Sequence, residues 1–76
     1  MPMKTIEIYT DYITLGQMLK FAGIIRNGGE AKAYLLSHEV CINGELDNRR
    51  GRKLYDGCQV KVNDQLFLIK SNVLPN

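Results

Sequence analysis

Tryptophan is absent from this chain of 76 residues, which has only one histidine, two cysteines and two prolines. Cys41 and Cys58 form no Cys-x-x-Cys pair, and His38 does not complete a ligand set, since a zinc site needs about four ligands at close spacing. The sequence also lacks a Ser/His/Asp set and a glycine-rich phosphate loop that leads into Lys-Ser/Thr. These absences give no support to an enzyme, and we expect no catalytic residue, no cofactor and no metal.

Long apolar runs are missing as well. No stretch approaches the roughly 18 apolar residues of a membrane span, and the N-terminal residues 1–7 have no apolar segment of the length that a secretory signal needs. We therefore expect a cytoplasmic protein with no membrane partner. Cys41 and Cys58 lie in apolar, strand-like stretches, so we expect reduced, buried thiols that act as small apolar side chains.

The first third of the chain has the pattern of a strand followed by a helix. Residues 6–9 alternate apolar and polar side chains, as a half-buried strand does. Thr14 with Gln17 three positions later is the pattern of a capping box, and Gly23 is expected to end the helix. The apolar positions that recur at helical spacing are Leu15, Met18, Leu19 and Ala22.

The rest of the chain predicts a second helix and four further strands. Asn27 is a candidate cap for a helix from about Gly29 to Ser37. The pair Asn43-Gly44 predicts a tight hairpin, because both central residues of a type I′ turn have positive φ. Residues 54–57 are predicted to be a turn, and residues 71–76 a frayed tail. The predicted strands are 40–42, 45–46, 59–62 and 65–69.

This order of elements predicts an α+β fold, with two short helices packed on a small, mainly antiparallel sheet of about four to five strands. Apolar residues make up 45 % of the chain and charged residues 24 %, which is typical of globular proteins. We expect residues 1–76 to form a single domain. The N-terminal strand, residues 5–10, is expected to lie beside the C-terminal strand, residues 65–70, and to complete the sheet.

The net charge is only +2, but the charges are unevenly placed. Residues 1–48 carry four Lys/Arg and six Asp/Glu, a balance of −2, whereas residues 49–76 carry six Lys/Arg and two Asp/Glu, a balance of +4. Most of the excess lies in a basic loop, residues 48–53, which contains Arg49, Arg50, Arg52 and Lys53. Such asymmetry favours an anionic partner, although a solvated surface loop would have the same composition.

A second candidate site for an anion lies at the start of the second helix. Gly28 and Gly29 would present backbone N–H groups without partners, and the absence of Cβ atoms would let a phosphate approach. Lys32 lies one turn further on, and Lys20 lies on the polar side of the first helix. The paired glycines are also compatible with a simple turn. We expect these groups to converge with the basic loop on one face.

These residues resemble the RNA-binding domain first described in ribosomal small-subunit protein four, the S-four domain. The resemblance runs from Leu15 to Val62, and the RNA-binding motif would occupy about residues 13–62. It is carried by Leu15 and Leu19, Glu30-Ala31-Lys32, Val40-Cys41-Ile42-Asn43-Gly44 and Asp56-Gly57-Cys58-Gln59-Val60. The closest likeness is to the short stand-alone bacterial proteins of YaaA/YbcJ type, through Leu19-Lys20, Gly29-Glu30-Ala31-Lys32 and residues 49–54.

The resemblance implies a non-catalytic domain that binds structured RNA, ribosomal or transfer RNA, and serves ribosome assembly or translation. Two departures from the family pattern change the expected contacts. Asn27-Gly28 stand where many members have Ser-Arg, and Thr14-Leu15 stand where the first helix usually begins with arginine. Binding would then depend on Lys20, Gly28, Gly29, Lys32 and the basic loop. His38 replaces a family glycine near a helix end, which implies strain if its φ is positive.

Two further hypotheses remain open. The same basic face would suit a module that binds an acidic protein, and a small enzyme or regulatory subunit is the third possibility. Among RNAs, we expect structured RNA to be preferred over unstructured single strands. The reason is that the six aromatic residues lie mostly at positions typical of a core, so the sequence predicts few stacking platforms for free bases.

Overall fold

The computed structural model describes residues 3–73, within which the chain forms two α-helices, one 3-10 turn and seven strands. The helices are α1 (Leu15–Phe21) and α2 (Ala31–Ser37), and the 3-10 turn (Gly28–Glu30) leads directly into α2. This architecture confirms the predicted α+β class. The strands are β1 (Met3–Ile8), β2 (Tyr12–Thr14), β3 (Val40–Ile42), β4 (Glu45–Leu46), β5 (Lys53–Tyr55), β6 (Gln59–Val62) and β7 (Gln65–Ser71).

Five of these strands form one mixed sheet in the order β1-β7-β6-β3-β4. The pairs β7-β6, β6-β3 and β3-β4 are antiparallel, whereas β1 pairs with β7 in parallel, with Ile6 opposite Ile69. The sheet is thus mainly antiparallel, and the first strand lies beside the last. Because β1 and β4 are its two edges, the basic loop leaves the sheet at the edge opposite β1.

A separate two-stranded sheet, β2 paired antiparallel with β5, was not predicted from the sequence. Each strand has three residues, of which only the central one is buried, Ile13 in β2 and Leu54 in β5. One buried residue gives no periodicity that a sequence pattern can show. The predicted turn at residues 54–57 is wrong in its first half, because Leu54 and Tyr55 are in β5 and only Asp56 and Gly57 turn the chain.

One apolar core lies between the helices and the two sheets. In β6, Val60 and Val62 are buried while the alternate residues are exposed, and α1 buries Leu15, Met18 and Leu19 completely. Cys58 belongs to this core, Cys41 is half-buried, and both thiols are free. Within residues 3–73, no polar or charged residue is buried, although the Asp47 side chain is only 9 % exposed.

The ends of α1 follow the sequence prediction. Gln17 N–H donates to Thr14 Oγ1 at 3.3 Å and Thr14 N–H donates to Gln17 Oε1 at 3.0 Å, which completes the capping box. Gly23 leaves the helix with φ of +77°, a left-handed conformation that glycine adopts without steric cost. The hairpin prediction is confirmed as well, since Asn43 and Gly44 have φ of +52° and +87°.

The ends of α2 differ from the prediction at two points. The Asn27 side chain caps no backbone N–H; its Nδ2 donates instead to Glu30 Oε1 at 3.2 Å. His38 ends the helix with φ of −131°, so the conditional expectation of strain at this position is not met. Its ring stacks on the ring of Tyr34, with centroids 4.0 Å apart. Because His38 is the C-cap of α2, the prediction of a helix-end residue is confirmed.

The C-terminal strand extends further than predicted. Ser71 is still part of β7, and the Asn72 N–H donates to the Ile8 carbonyl at 2.8 Å. The rest of the predicted tail, residues 74–76, lies outside the described residues. Neither helix in the described part of the chain is long and apolar enough to cross a membrane.

Candidate functional site

The basic loop is fixed to the start of α1 by backbone hydrogen bonds. Leu15 N–H donates to the Arg52 carbonyl at 2.8 Å, and Gly16 N–H donates to the Arg50 carbonyl at 2.9 Å. The first N–H groups of a helix have no partner within the helix, so here the loop supplies the acceptors. Together with the capping bond from Gln17 to Thr14, these contacts hold two of the loop's arginines at one place on the surface.

Gly16 lets three segments meet at this place. A Cβ atom on Gly16 would lie 3.4 Å from the Ala31 Cβ and 3.4 Å from the Arg50 carbonyl oxygen. The start of α1, the start of α2 and the basic loop are therefore in contact around a residue without a side chain. Lys32 follows Ala31 directly, and Lys20 lies one turn after Gly16 on α1, at the i+4 position of the same helix face. Lys20, Lys32 and Arg50 thus belong to the three segments that meet at Gly16.

A single carboxylate organises the loop from the other side. Asp47 accepts two bonds from the Arg49 guanidinium, from Nε at 3.1 Å and Nη2 at 2.8 Å, and a third from Arg52 Nη1 at 3.1 Å. It also accepts the Arg49 backbone N–H at 2.9 Å. The Asp47 side chain is only 9 % exposed, whereas that of Arg49 is 69 % exposed. The carboxylate thus orders a loop whose arginines still face solvent.

The electrostatics of this cluster favour the charged forms. The side-chain hydrogen bond from Arg49 holds the pKa of Asp47 well below its ordinary value, against the opposing effect of burial. The same bond raises the pKa of Arg49. Both partners therefore stay ionised at neutral pH, and Asp47 offsets part of the positive charge that the loop carries. When Arg49 and Arg52 contact an anion, the negative charge of Asp47 lies beside them and weakens the attraction.

Three other predicted cations are not neutralised in this way. Lys20, Lys32 and Arg50 are exposed, and none forms an ion pair within residues 3–73, where both ion pairs involve Asp47. Arg50 is the residue whose carbonyl binds Gly16, so its side chain leaves the loop from a fixed backbone position. These three cations are therefore unpaired charges, within residues 3–73, on the three segments that meet at Gly16.

The glycine turn differs from the expected phosphate cradle. Gly28 and Gly29 are exposed and form a 3-10 turn, in which Glu30 N–H donates to the Asn27 carbonyl at 3.1 Å. Glu30 lies at the same helix start, so a carboxylate already stands near the N–H groups that would receive an anion. Neither glycine has a positive φ, and a Cβ on Gly28 would meet nothing within 4 Å. The backbone conformation does not require glycine there.

Lys53 differs from the other predicted cations in its contact with an aromatic ring. It begins β5, and its Nζ lies 4.9 Å from the centroid of the Tyr12 ring. The expectation that aromatic residues would lie in core positions is wrong here, because Tyr9, Tyr12, Phe21 and Tyr55 are all exposed. Tyr12 and Tyr55 lie at the ends of the three-residue strands β2 and β5, on the face opposite the buried Ile13 and Leu54.

Sequence reasoning missed two residues that build this surface, Gly16 and Asp47. Gly16 lies within a helical pattern, where glycine destabilises the helix relative to alanine. A glycine at such a position indicates that another segment packs closely against the helix. Asp47 lies two residues before Arg49, a spacing at which an aspartate can accept a backbone N–H in an Asx turn. Within residues 3–73, no group of metal-binding side chains comes together.

Comparison with known proteins identifies the family of this chain. Residues 6–70 match the S4 domain family, a span that includes both helices, the basic loop and the two-stranded sheet. A relative in Bacillus subtilis (strain 168), named "Probable ribosome maturation protein RlbA", is 58 % identical over 57 residues, which are 75 % of this chain and 80 % of the relative. The chain therefore belongs to the S4 domain family, the family of ribosomal small-subunit protein four that its motifs resemble.

Proposed function

We propose that this chain is a non-catalytic, cytoplasmic RNA-binding protein that contacts the phosphates of structured RNA and serves ribosome maturation, with ribosomal RNA as its partner. The observation that carries the proposal is the docking of the basic loop on the start of α1 around Gly16. It provides a helix–loop surface, which we define as Lys20, Gly28, Gly29, Lys32 and residues 49–53. The printed name of the Bacillus subtilis relative supports the role in ribosome maturation.

Phosphate binding is the interaction that this surface suits best. An arginine guanidinium presents a planar set of donors that matches phosphate oxygens, and Arg50, Lys20 and Lys32 have no acidic partner within residues 3–73. The loop backbone is already fixed by two hydrogen bonds to α1. A surface that is ordered before binding loses less conformational freedom when the RNA arrives. An anchored loop backbone favours a folded RNA, whose phosphates also have fixed positions.

A salt titration tests the proposal. Binding of fluorescent hairpin fragments of ribosomal RNA is measured by anisotropy at several salt concentrations for the wild-type protein and for the double variant Lys20→Gln/Arg50→Gln. Each lost phosphate contact lowers the slope of log affinity against log salt by roughly 0.7–0.9. We expect the double variant to bind all RNA sequences more weakly and to have a slope that is shallower by about 1.4–1.8.

The matched control is Lys4→Gln/Lys70→Gln, which removes the same number of charges from exposed positions in β1 and β7, at the edge of the sheet away from the basic loop. Its slope is expected to equal that of the wild type. An equal decrease in slope for both double variants would show that RNA binding depends on the net charge of the protein and not on the helix–loop surface. Binding of an acidic protein with no affinity for any RNA would establish the competing interaction module.

A further inference from the structure

The outer face of the two-stranded sheet carries two tyrosines side by side. Tyr12 in β2 pairs directly with Tyr55 in β5, and the alternation of side chains along a strand places both on the face opposite Ile13 and Leu54, which are buried. The ring centroids are 5.8 Å apart and the ring planes are inclined by 52°. Tyr12 is 40 % exposed and Tyr55 is 51 % exposed, so the core does not cover either ring.

A cation accompanies this pair. The Lys53 Nζ lies over the Tyr12 ring at 4.9 Å from its centroid, within the distance at which an ammonium group is attracted to an aromatic face. Lys53 forms no ion pair in the described part of the chain. One tyrosine therefore holds the lysine in place, while the other, Tyr55, keeps half of its surface open.

Tyr55 also lines an open groove of about 670 Å³. Arg49, Arg52 and Lys53 line the same groove, together with Asn43 from the β3–β4 hairpin. The groove thus combines three cations with one exposed aromatic ring.

We propose that this groove, which we call the Tyr55 groove, holds one unpaired nucleotide of the bound RNA. The base stacks on the ring of Tyr55, and its phosphate lies near Lys53 and Arg52. The inference rests on the proposed function and adds to it the kind of RNA recognised, a folded RNA with a bulged or looped-out base. Every base has an aromatic face, so stacking tolerates all four bases, whereas an acidic peptide would use the cations and leave the ring without a partner.

The test compares two RNA hairpins that differ at one position. One carries a single bulged 2-aminopurine nucleotide in its stem, and the other carries an abasic residue at that bulge, which keeps the phosphate and removes the base. Stacking by one base contributes an affinity factor of about 5- to 150-fold, as measured by substitution of the aromatic residue with alanine. We expect the wild-type protein to bind the first hairpin more tightly by a factor in this range and to quench the 2-aminopurine fluorescence.

Tyr55→Leu removes the aromatic face but keeps an apolar side chain, and it should abolish both the difference between the two hairpins and the quenching. Tyr55→Phe keeps the face and should retain both. Tyr9→Leu is the matched control, because Tyr9 is 75 % exposed and lines a different groove with Glu7 and Asp11. Circular dichroism of each variant verifies that the fold is retained, and loss of fold in Tyr55→Leu leaves the wild-type hairpin comparison as the deciding measurement.

The outcomes separate this inference from the proposed function. Equal wild-type affinity for the two hairpins, with a normal salt slope, would overturn the stacking site and leave phosphate binding intact. Absence of binding to both hairpins and to ribosomal RNA fragments would overturn the proposed function and the stacking site together. A difference between the hairpins that persists in Tyr55→Leu and vanishes in Tyr9→Leu would place the base in the other groove and refute the assignment.

Discussion

Two segments of this chain, the basic loop and the glycine turn, have the composition of an anion-binding site. They differ in the contacts that hold them in place. The basic loop is held by two backbone hydrogen bonds to α1 and by the carboxylate of Asp47. The glycine turn at residues 28–30 is exposed, has Asn27 bonded to Glu30, and carries that carboxylate at its last residue, where α2 begins. Both segments have nearby cations, but only the loop has its backbone bonded to α1 and two of its arginines paired.

The difference indicates where the binding energy is concentrated. A cation on an ordered backbone loses less conformational entropy when it binds a phosphate than a cation on a free backbone does. Residues 28 and 29 would offer N–H groups to a phosphate, yet Glu30 repels the same ligand. The comparison therefore predicts that changes which loosen the loop have large effects, and that changes in the glycine turn have small ones.

Gly16→Val is expected to have the largest effect. A valine side chain would extend beyond the Cβ position that already lies 3.4 Å from both Ala31 and the Arg50 carbonyl, so the loop and α2 would be forced apart. Overpacking of this kind destabilises a protein by about 1–3 kcal/mol, and we expect weaker RNA binding as the loop loses its anchor. Chemical denaturation measures the first effect and anisotropy the second.

Gly16→Ala provides the control for this substitution. The added Cβ would make ordinary contacts at 3.4 Å, and alanine favours a helix by about 1 kcal/mol over glycine. The alanine variant should therefore be at least as stable as the wild type and bind RNA as well. If valine were tolerated equally, the contact around Gly16 would not be what holds the loop.

Asp47→Asn is expected to lower stability by about 1 kcal/mol at neutral pH, because charge-assisted bonds to two arginines are lost but one of them is largely exposed and screened. The folded pKa of Asp47 lies below its ordinary value of 3.8. Its contribution is therefore present in full above pH 3.8 and is lost as the pH falls toward the folded pKa.

Urea unfolding of the wild type and Asp47→Asn between pH 6 and pH 2 measures this dependence. The two stabilities should differ most at pH 6 and converge as the solution becomes more acidic. Asp56→Asn is a suitable control, since no arginine contacts Asp56 in residues 3–73. A gap that widened toward low pH would have the wrong sign for an ion-paired carboxylate.

Arg50, which has no ion pair in residues 3–73, is expected to contribute more to RNA binding than Arg49, which pairs with Asp47. Arg50→Gln should lower the salt slope by the full value of roughly 0.7–0.9, which corresponds to about fivefold to eightfold weaker binding at 0.1 M salt. Arg49→Gln should lower it by less, because Asp47 already interacts with that charge. The two variants have the same net charge, so equal slopes would contradict the importance of ion pairing within the loop.

The parts of the fold that follow from local chemistry could be predicted from sequence, and the parts that need a distant partner could not. The capping box of Thr14 and the Asn43-Gly44 hairpin depend on neighbouring residues and were predicted correctly. The strands β2 and β5 exist because residues about forty positions apart pair with each other. Three-residue strands with one buried residue have no periodicity to reveal them.

The candidate site was also predictable only where the signal was local in sequence. The cations of residues 49–53 were evident from composition, but their division into paired and free charges depends on the orientation of the Asp47 side chain. The contact among Gly16, Ala31 and Arg50 joins three segments that are far apart in sequence. The position of Tyr55 beside the basic loop depends on the unpredicted sheet, so the stacking face was also missed.

The smallest effects are expected in the glycine turn, where two substitutions of Gly28 test whether its backbone binds phosphate at all. Gly28 has an ordinary φ and open space around its Cβ position, so Gly28→Ala should raise stability by about 0.4–1 kcal/mol through the entropy of the unfolded chain. Gly28→Asp adds a negative charge at a helix start, which by itself stabilises by about 0.3–1 kcal/mol, although Glu30 nearby reduces the gain.

The RNA affinities of the two variants discriminate between the possible roles of the turn. If the bare backbone of Gly28 receives a phosphate, both variants bind RNA more weakly, alanine through steric hindrance and aspartate through steric hindrance and repulsion. If the turn only brings Lys32 near the loop, which is the outcome that the comparison of the two segments favours, alanine leaves the affinity unchanged and aspartate lowers it by a long-range effect that salt screens. Anisotropy at 0.05 M and 0.3 M salt distinguishes these cases, because repulsion fades at the higher concentration while steric hindrance persists.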